Sequence, residues 1–221
     1  MTHSTQSNQS TVKKVINGGT VRTILLGSGL VLVAGVAWYG YRWHSIGKEE
    51  TAQKVLVDCL AQFDKAEQDK NADWASLQAI ASVAYSQQKN TNAAPYLLAL
   101  EAEALIHLDK KAEAIERMDK AINALSSSSP FYAIYKIKRA LMKLDGDQQL
   151  VQLGITELQE LAQDTKNKNN DEAQFYLGLY YLSRNDLEQA KQAWQPLLDF
   201  PQEGDGSSPW AMRAQEKMKL L

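Results

Sequence analysis

The feature that most constrains this chain is an uncharged apolar stretch near its start. Nineteen residues, from Thr23 to Tyr41, include no charged side chain, and Arg22 and Arg42 flank them. Because a helix rises about 1.5 Å per residue, this stretch matches the roughly 30 Å of hydrocarbon in a bilayer. The sequence therefore predicts a single transmembrane helix over residues 23–43, which contacts the lipid bilayer through residues 23–41.

Four aromatic residues end the apolar stretch. They are Trp38, Tyr39, Tyr41 and Trp43. Trp and Tyr are enriched where lipid headgroups meet water, because their rings are apolar and their N–H and O–H groups are polar. We predict these four residues to be membrane-interface anchors that mark where the chain leaves the bilayer.

Two other interpretations of the stretch are weaker. Gly35-Val36-Ala37 offers a small-x-small cleavage site for a signal peptide, but the polar segment before it is long, and cleavage would leave an aromatic terminus. A buried core helix of this length usually has a polar face, and this stretch has none. The sequence favours an anchor over a cleaved, soluble periplasmic protein.

The segment before the span is polar and basic. Residues 1–22 are rich in Ser, Thr, Gln and Asn, and they carry Lys13, Lys14 and Arg22 without an acidic residue. Such a composition predicts a disordered tail. The positive-inside rule then favours, by a small margin, a cytoplasmic N-terminus.

The remaining chain lacks patterns typical of catalysis or nucleic-acid binding. Its acidic and basic residues are interspersed and do not form the basic stripe that phosphate backbones require. The histidines His3, His44 and His107 have no metal-ligand partners at suitable spacing, and no phosphate-binding glycine loop or nucleophile elbow is present. We predict a non-enzymatic protein with no catalytic residue, metal, cofactor, nucleic acid or small-molecule substrate.

The chain has one cysteine, Cys59, so an intramolecular disulfide is excluded. Its neighbours Leu56, Leu60 and Phe63 lie on the same helical face. This placement predicts a buried, unreactive thiol.

Helical periodicity continues to the end of the chain. Apolar residues recur at steps of three and four, which predicts an all-α fold. We expect two amphipathic helices, over residues 49–68 and 74–86, within a connecting region over 44–92. A repeat domain over 93–221 follows.

Residues 171–201 resemble a tetratricopeptide repeat, in which two antiparallel helices approach closely at small residues. The same pattern recurs twice upstream, once with a longer turn over residues 145–148. The small pairs are Ala102 with Ala114, Ala140 with Gly154, and Gly178 with Ala190. The sequence predicts a tetratricopeptide-like α-solenoid of three such units, although an ordinary helical bundle is an alternative.

Capping signals locate several helix starts. Ser129-Pro130 and Ser208-Pro209 are typical of an N-cap followed by a first-turn proline, and Asp171 with Gln174 suggests a capping box. The last helix places apolar residues on one stripe, and we expect it to cap the final repeat.

In helix-pair solenoids the first helix of each pair lines the concave side. In the predicted frame this lining is apolar, which suggests a surface that binds protein partners. The predicted partner-binding residues are Ile106, His107, Ile137, Leu141, Leu144, Phe175, Leu179 and Leu182.

The order of features resembles one known family. The aromatic exit AWYGYRWHS, the unit GLYYLSRNDLEQAKQAW and the terminal KMKLL are similar to the bacterial ancillary SecYEG translocon subunits, the YfgM-like tetratricopeptide proteins. The resemblance implies an inner-membrane adaptor with a periplasmic repeat domain. Its implied partners are translocon subunits, a membrane-anchored periplasmic chaperone and newly exported client chains.

A different class of function is compatible with the same sequence. A membrane-tethered scaffold or regulator would use its repeats to recruit cell-division, secretion-system or signalling proteins. Such a protein could face the cytoplasm, so the topology of the repeat domain separates the two functions.

Overall fold

The part of the chain that the structure describes is built from helices. A computed structural model of the protein describes residues 46–199 and 208–219, and within them it has nine helices and no strand. The predicted all-α fold is confirmed for these residues. The helices are α1 (described over 46–68), α2 (Trp74–Gln88), α3 (Ala94–His107), α4 (Lys111–Ala124), α5 (Pro130–Leu144), α6 (Gln148–Gln163), α7 (Asn170–Ser183), α8 (Leu187–Asp199) and α9 (Pro209–Met218).

The predicted membrane segment lies outside these residues. Among the helices that the structure describes, none is both long and apolar enough to cross a bilayer. The tail over 1–22, the span over 23–43 and the four aromatic anchors all precede residue 46, so they stay predictions.

Two predicted N-caps are present. The Ser129 side chain accepts a hydrogen bond from the backbone N–H of Phe131, and Ser208 accepts one from Trp210. A proline occupies the first turn of each helix, where its missing N–H costs nothing. Cap chemistry therefore fixes the starts of α5 and α9.

The predicted capping box at Asp171 is wrong. Helix α7 begins at Asn170, so Asp171 lies within its first turn, and its carboxylate accepts a hydrogen bond from the hydroxyl of Ser208. Gln174 donates instead to the carbonyl of Ala162. Both side chains thus make tertiary contacts, Gln174 with the end of α6 and Asp171 with the residue that caps α9.

Successive helices pack against each other in chain order. From α2 to α8 each helix contacts the next, and α9 contacts both α7 and α8. Helix α1 joins the stack through Phe63 and Ala66, which pack with Leu77 on α2 and Ala104 on α3. The pairs α1/α2, α3/α4, α5/α6 and α7/α8 thus form a solenoid-like stack. Within it, α1 and α2 of the predicted connecting region pack directly on α3 of the predicted repeat domain.

The small residues set the closest approaches within pairs. Ala102, Ala140 and Gly178 follow each other at intervals of 38 positions in the first helices, and all three are buried. Their partners on the second helices, Ala114, Gly154 and Ala190, are buried as well. The three predicted small pairs are confirmed as buried positions of the stack.

The turn within α5/α6 uses different hydrogen bonds from the turns within α3/α4 and α7/α8. Asp109 and Asn185 occupy equivalent turns and adopt left-handed conformations, with φ of 57° and 59°. In both turns the next residue donates its N–H to a carbonyl five positions back, at 2.9 Å. The predicted longer turn over residues 145–148 is wrong, because Gln148 already belongs to α6 and each of the three turns has three residues. The Asp147 carboxylate caps α6 by accepting from the N–H groups of Gln149 and Leu150.

Polar side chains also join neighbouring pairs. Buried Glu101 on α3 accepts a hydrogen bond from Gln78 on α2 at 3.0 Å, and its carboxylate lies 3.3 Å from the guanidinium of Arg117 on α4. At the equivalent position of α5, Arg139 pairs with carboxylates on α4 and α6. Helices α3 and α5 are therefore each held in register by polar contacts to the second helices on either side.

A glycine substitution tests the close approach in the middle pair. A Cβ on Gly154 would lie 2.7 Å from the backbone carbonyl oxygen of Ala140, and a backbone group cannot rotate away. We expect Gly154→Ala to lower the free energy of unfolding by about 1–3 kcal/mol. Gly47→Ala is the control, because nothing lies within 4 Å of its added Cβ. Thermal unfolding of both variants by circular dichroism measures the difference, and equal effects would contradict the close packing.

Candidate functional site

An apolar groove crosses the first helices α1, α3 and α5. Its volume is about 430 Å³, and its exposed surface is almost entirely carbon. Because three successive pairs contribute, the stack itself creates the groove. It is lined by Leu56, Leu60, Tyr96, Ala99, Leu100, Glu103, Phe131, Ile134, Tyr135 and Lys138.

Large apolar side chains in the groove are open to water. Leu60 is 48% exposed and Phe131 is 42% exposed, although both are residues that normally contribute to a core. A contiguous exposed apolar surface on a folded domain typically marks an interaction site. The groove is therefore the strongest candidate for a binding site in the described part of the chain.

Aromatic rings form one wall of the groove. Tyr96 meets Phe131 edge to face with ring centroids 5.1 Å apart, and Tyr135 packs against both at 6.3 and 6.0 Å. Burial raises the pKa of the Tyr135 hydroxyl above its usual range, with Tyr96 and Glu103 adding to the shift. The phenol therefore stays neutral and keeps its O–H. Such a wall offers a rigid apolar surface with polar edges.

An ion pair bridges α3 and α5 beside the aromatic wall. The Lys138 ammonium donates to Glu103 at 2.6 Å, and both side chains are partly exposed. On α7, burial raises the pKa of Glu172, and the nearby Lys138 ammonium opposes that shift. The Lys138 ammonium thus interacts with two carboxylates, Glu103 within the groove and Glu172 on the neighbouring helix α7.

Three of the predicted partner-binding residues meet in a second groove. Leu141, Leu144 and Leu179 line a space of about 460 Å³ between α5 and α7, near the turn that follows α5. This groove is more polar than the first, because Asp145 and Arg184 also line it. The structure brings these three residues together, and their role in binding stays a prediction.

Three others lie at separate places. Ile106 packs against the core between α3, α4 and α5, whereas the His107 ring stacks on Trp74 with centroids 3.6 Å apart. Leu182 packs against the cluster that contains Phe175 and Trp194. The structure does not bring these three side chains into one surface.

Ile137 and Phe175 are buried in the hydrophobic core. Both lie at the repeat position of Ala99, at intervals of 38 residues, and all three positions are buried. The structure therefore removes these two residues from the exposed lining. Neither can contact a partner without disrupting the stack.

The residues that open the main groove are not among the predicted partner-binding residues. Leu56 and Leu60 were assigned to a connecting helix, and Phe131 and Ile134 precede the part of α5 that was chosen as lining. The sequence does contain a signal for the groove. Phe131 and Ile134 lie one helical turn apart, and the apolar face of α1 is wider than contact with α2 alone would require. Recognising α1/α2 as a pair would have placed the groove.

Helix α9 packs at the end of the stack. Ala211 and Ala214 are buried in the cluster shared by α7 and α8, and Trp210 lies 5.2 Å from Phe175 between ring centroids. The Arg213 guanidinium lies over the outer face of Trp210, 4.8 Å from the ring centroid. The helix thereby covers apolar surface on the last pair and leaves the groove between α1 and α5 open.

The thiol of Cys59 provides a further test. Cys59 is 2% exposed and packs against α2 and α3, and burial raises its pKa, with Asp58 adding to the shift. Because the thiolate is the reactive form, we expect negligible labelling by a disulfide reagent in the native protein. One equivalent should react after addition of urea. Rapid labelling without urea, followed spectrophotometrically, would contradict the burial of Cys59.

Within residues 46–199 and 208–219, no cluster of three or more His, Cys, Asp and Glu side chains is placed to hold a metal ion. Comparison of the chain with protein-family models, curated proteins and solved structures found no match. The function is therefore inferred from the groove and from the sequence.

Proposed function

We propose that this protein is a non-enzymatic adaptor, anchored in the bacterial inner membrane, whose helical repeats hold other polypeptides. Its partners would be translocon subunits, a membrane-anchored periplasmic chaperone and newly exported chains. The family resemblance and the predicted span supply the location. The groove supplies the means of binding.

The observation that carries this proposal is the exposure of Leu60 and Phe131 on facing walls of one groove. Burying both side chains under a partner would release water from apolar surface, which is the main driving force of protein association. The aromatic wall adds side chains that lose little conformational entropy on binding. These properties suit recognition of apolar segments in many different chains.

Co-isolation in mild detergent tests the proposal. Full-length protein carrying an affinity tag is purified from membranes, and the proteins that accompany it are identified. Leu60→Glu places a charge in the groove, so we expect it to reduce recovery of partners by about tenfold. Leu153→Glu is the matched control, because Leu153 is 53% exposed on α6 and does not line the groove. Absence of any translocon or chaperone component with the wild-type protein would contradict the adaptor function.

Protease protection tests the predicted location. In spheroplasts with an intact inner membrane, added protease should degrade the repeat domain while the N-terminal tail stays protected. Protection of the repeat domain would contradict a periplasmic adaptor and would support the cytoplasmic scaffold instead.

A further inference from the structure

Acidic side chains surround the apolar groove. On α1, Asp64 and Glu67 follow Leu60 by four and seven residues, so both lie on the helical face that Leu60 presents to the groove. Both side chains are exposed. They place two carboxylates on the last turns of α1, just beyond Leu60, which lines the groove.

The opposite wall adds further negative charge. Glu103 is already paired with Lys138, and Glu172 lies one turn before Tyr176 on the same face of α7. The groove-facing stripes of α1, α3 and α5 carry Lys138 against three acidic residues, and Glu172 on the neighbouring helix α7 interacts with the same lysine. The apolar groove is thus set in a region of net negative charge.

We propose that the groove takes a cationic amphipathic segment of its partner protein, with Leu or Phe side chains entering the groove and Lys or Arg on the flanking turn. This inference rests on the proposed adaptor function and adds the chemistry of the segment that is bound. The apolar anchors contact Leu60 and Phe131. The flanking cations lie near Asp64, Glu67 and Glu172, where they replace part of the hydration of those carboxylates.

The charge arrangement accounts for selection among apolar segments. An exposed apolar groove alone would bind neutral, acidic and basic segments with similar affinity. Carboxylates around it repel acidic segments and raise the association rate of basic ones, and both effects weaken with added salt. Selection by charge therefore predicts a salt-dependent preference for basic segments, which apolar binding alone would not show.

Two synthetic peptides test the inference. They share one set of Leu and Phe anchors at helical spacing, and the flanking positions are Lys in one and Glu in the other. Full-length protein is placed in nanodiscs of phosphatidylcholine, whose headgroup carries no net charge, and fluorescence anisotropy reports binding against empty nanodiscs. We expect the Lys peptide to bind about tenfold more tightly than the Glu peptide at low salt. The ratio should fall toward one at about 0.5 M salt because ions screen exposed charges.

Variants assign the effect to the two parts of the groove. The double variant Asp64→Asn with Glu67→Gln should lower the preference for Lys over Glu to about threefold, because exposed pairs each contribute little. Phe131→Ala should weaken both peptides alike, whereas Leu153→Ala should change neither.

The outcomes separate this inference from the proposed function. Equal binding of the two peptides, with loss of both in Phe131→Ala, overturns charge selection and leaves the groove as a binding site. Failure of the Lys peptide to bind the wild-type protein overturns the inference directly. The adaptor function is judged independently by the partners that accompany the full-length chain from membranes.

Discussion

Replacing Trp194 with alanine is expected to lower the free energy of unfolding by about 3–5 kcal/mol. Trp194 is fully buried, and its indole N–H donates to the carbonyl of Phe175 at 3.0 Å. The ring fills the space left by Gly178, because a Cβ at that position would overlap the indole. Truncation leaves a large cavity between α7 and α8 and removes the indole hydrogen bond, although the Phe175 carbonyl keeps its backbone donor within α7. A fall in melting temperature on the order of 10 °C should follow.

Two control variants help to interpret this result. Trp194→Phe keeps most of the volume and loses the hydrogen bond, so its effect should be clearly smaller than that of alanine. Leu153→Ala removes an exposed side chain and should lie within about 0.5 kcal/mol of wild type. Equal melting temperatures for Trp194→Ala and Leu153→Ala would contradict the assignment of Trp194 to the core.

Placing a carboxylate at Ala214 is expected to detach α9 from the stack. Ala214 is completely buried against α7 and α8, and an isolated charge in an apolar contact is too costly to keep. Because α9 can undock and expose the carboxylate to water, the loss of stability is limited. We expect Ala214→Asp to lower the free energy of unfolding by about 2–3 kcal/mol. Trp210 would lose its contact with Phe175, and a red shift of tryptophan fluorescence together with a lower melting temperature should report it.

The matched control lies on the same helix. Met212 is 49% exposed, so Met212→Asp adds the same charge to α9 without placing it in the contact. This variant should keep the wild-type melting temperature within about 2 °C. If Ala214→Asp and Met212→Asp behaved alike, α9 would not be a stabilising cap on the last pair.

Much of the stack was predictable because tight helix pairs leave a direct mark on the sequence. Only a small residue fits where two backbones approach, so Ala102, Gly178 and Ala190 could be recognised without coordinates. Ser129 and Ser208 were recognisable for a similar reason, since a cap depends on local hydrogen bonds. Asp171 was not, because its hydrogen-bond partner Ser208 is far along the chain.

The exposed lining was harder to predict because it depends on the angular position of each residue within its helix. Ile137 and Leu141 are both apolar, and one helical turn separates them. The structure buries Ile137 at the position of Ala99 and exposes part of Leu141 at the position of Glu103. Composition cannot distinguish such neighbours, whereas the 38-residue repeat could have done so.

The groove between α1 and α5 depends on tertiary packing that the sequence did not reveal. Leu60 looks like a core residue when α1 is considered alone, since it lies near Cys59 and Phe63. Cys59 and Phe63 are buried against α2 and α3, whereas Leu60 lines the groove. Whether an apolar residue is covered or open depends on the crossing of three helices.

The most direct test of the account is site-specific photo-crosslinking in living cells. A photoreactive amino acid is introduced at Leu60 in the groove and, in a second strain, at Leu153 on α6. After irradiation, the account predicts crosslinks from position 60 to exported chains, a periplasmic chaperone or translocon subunits, and few or none from position 153. Equal crosslinking from both positions, or none from position 60 in a protein that is folded and membrane-bound, would contradict the claim that the groove holds other polypeptides.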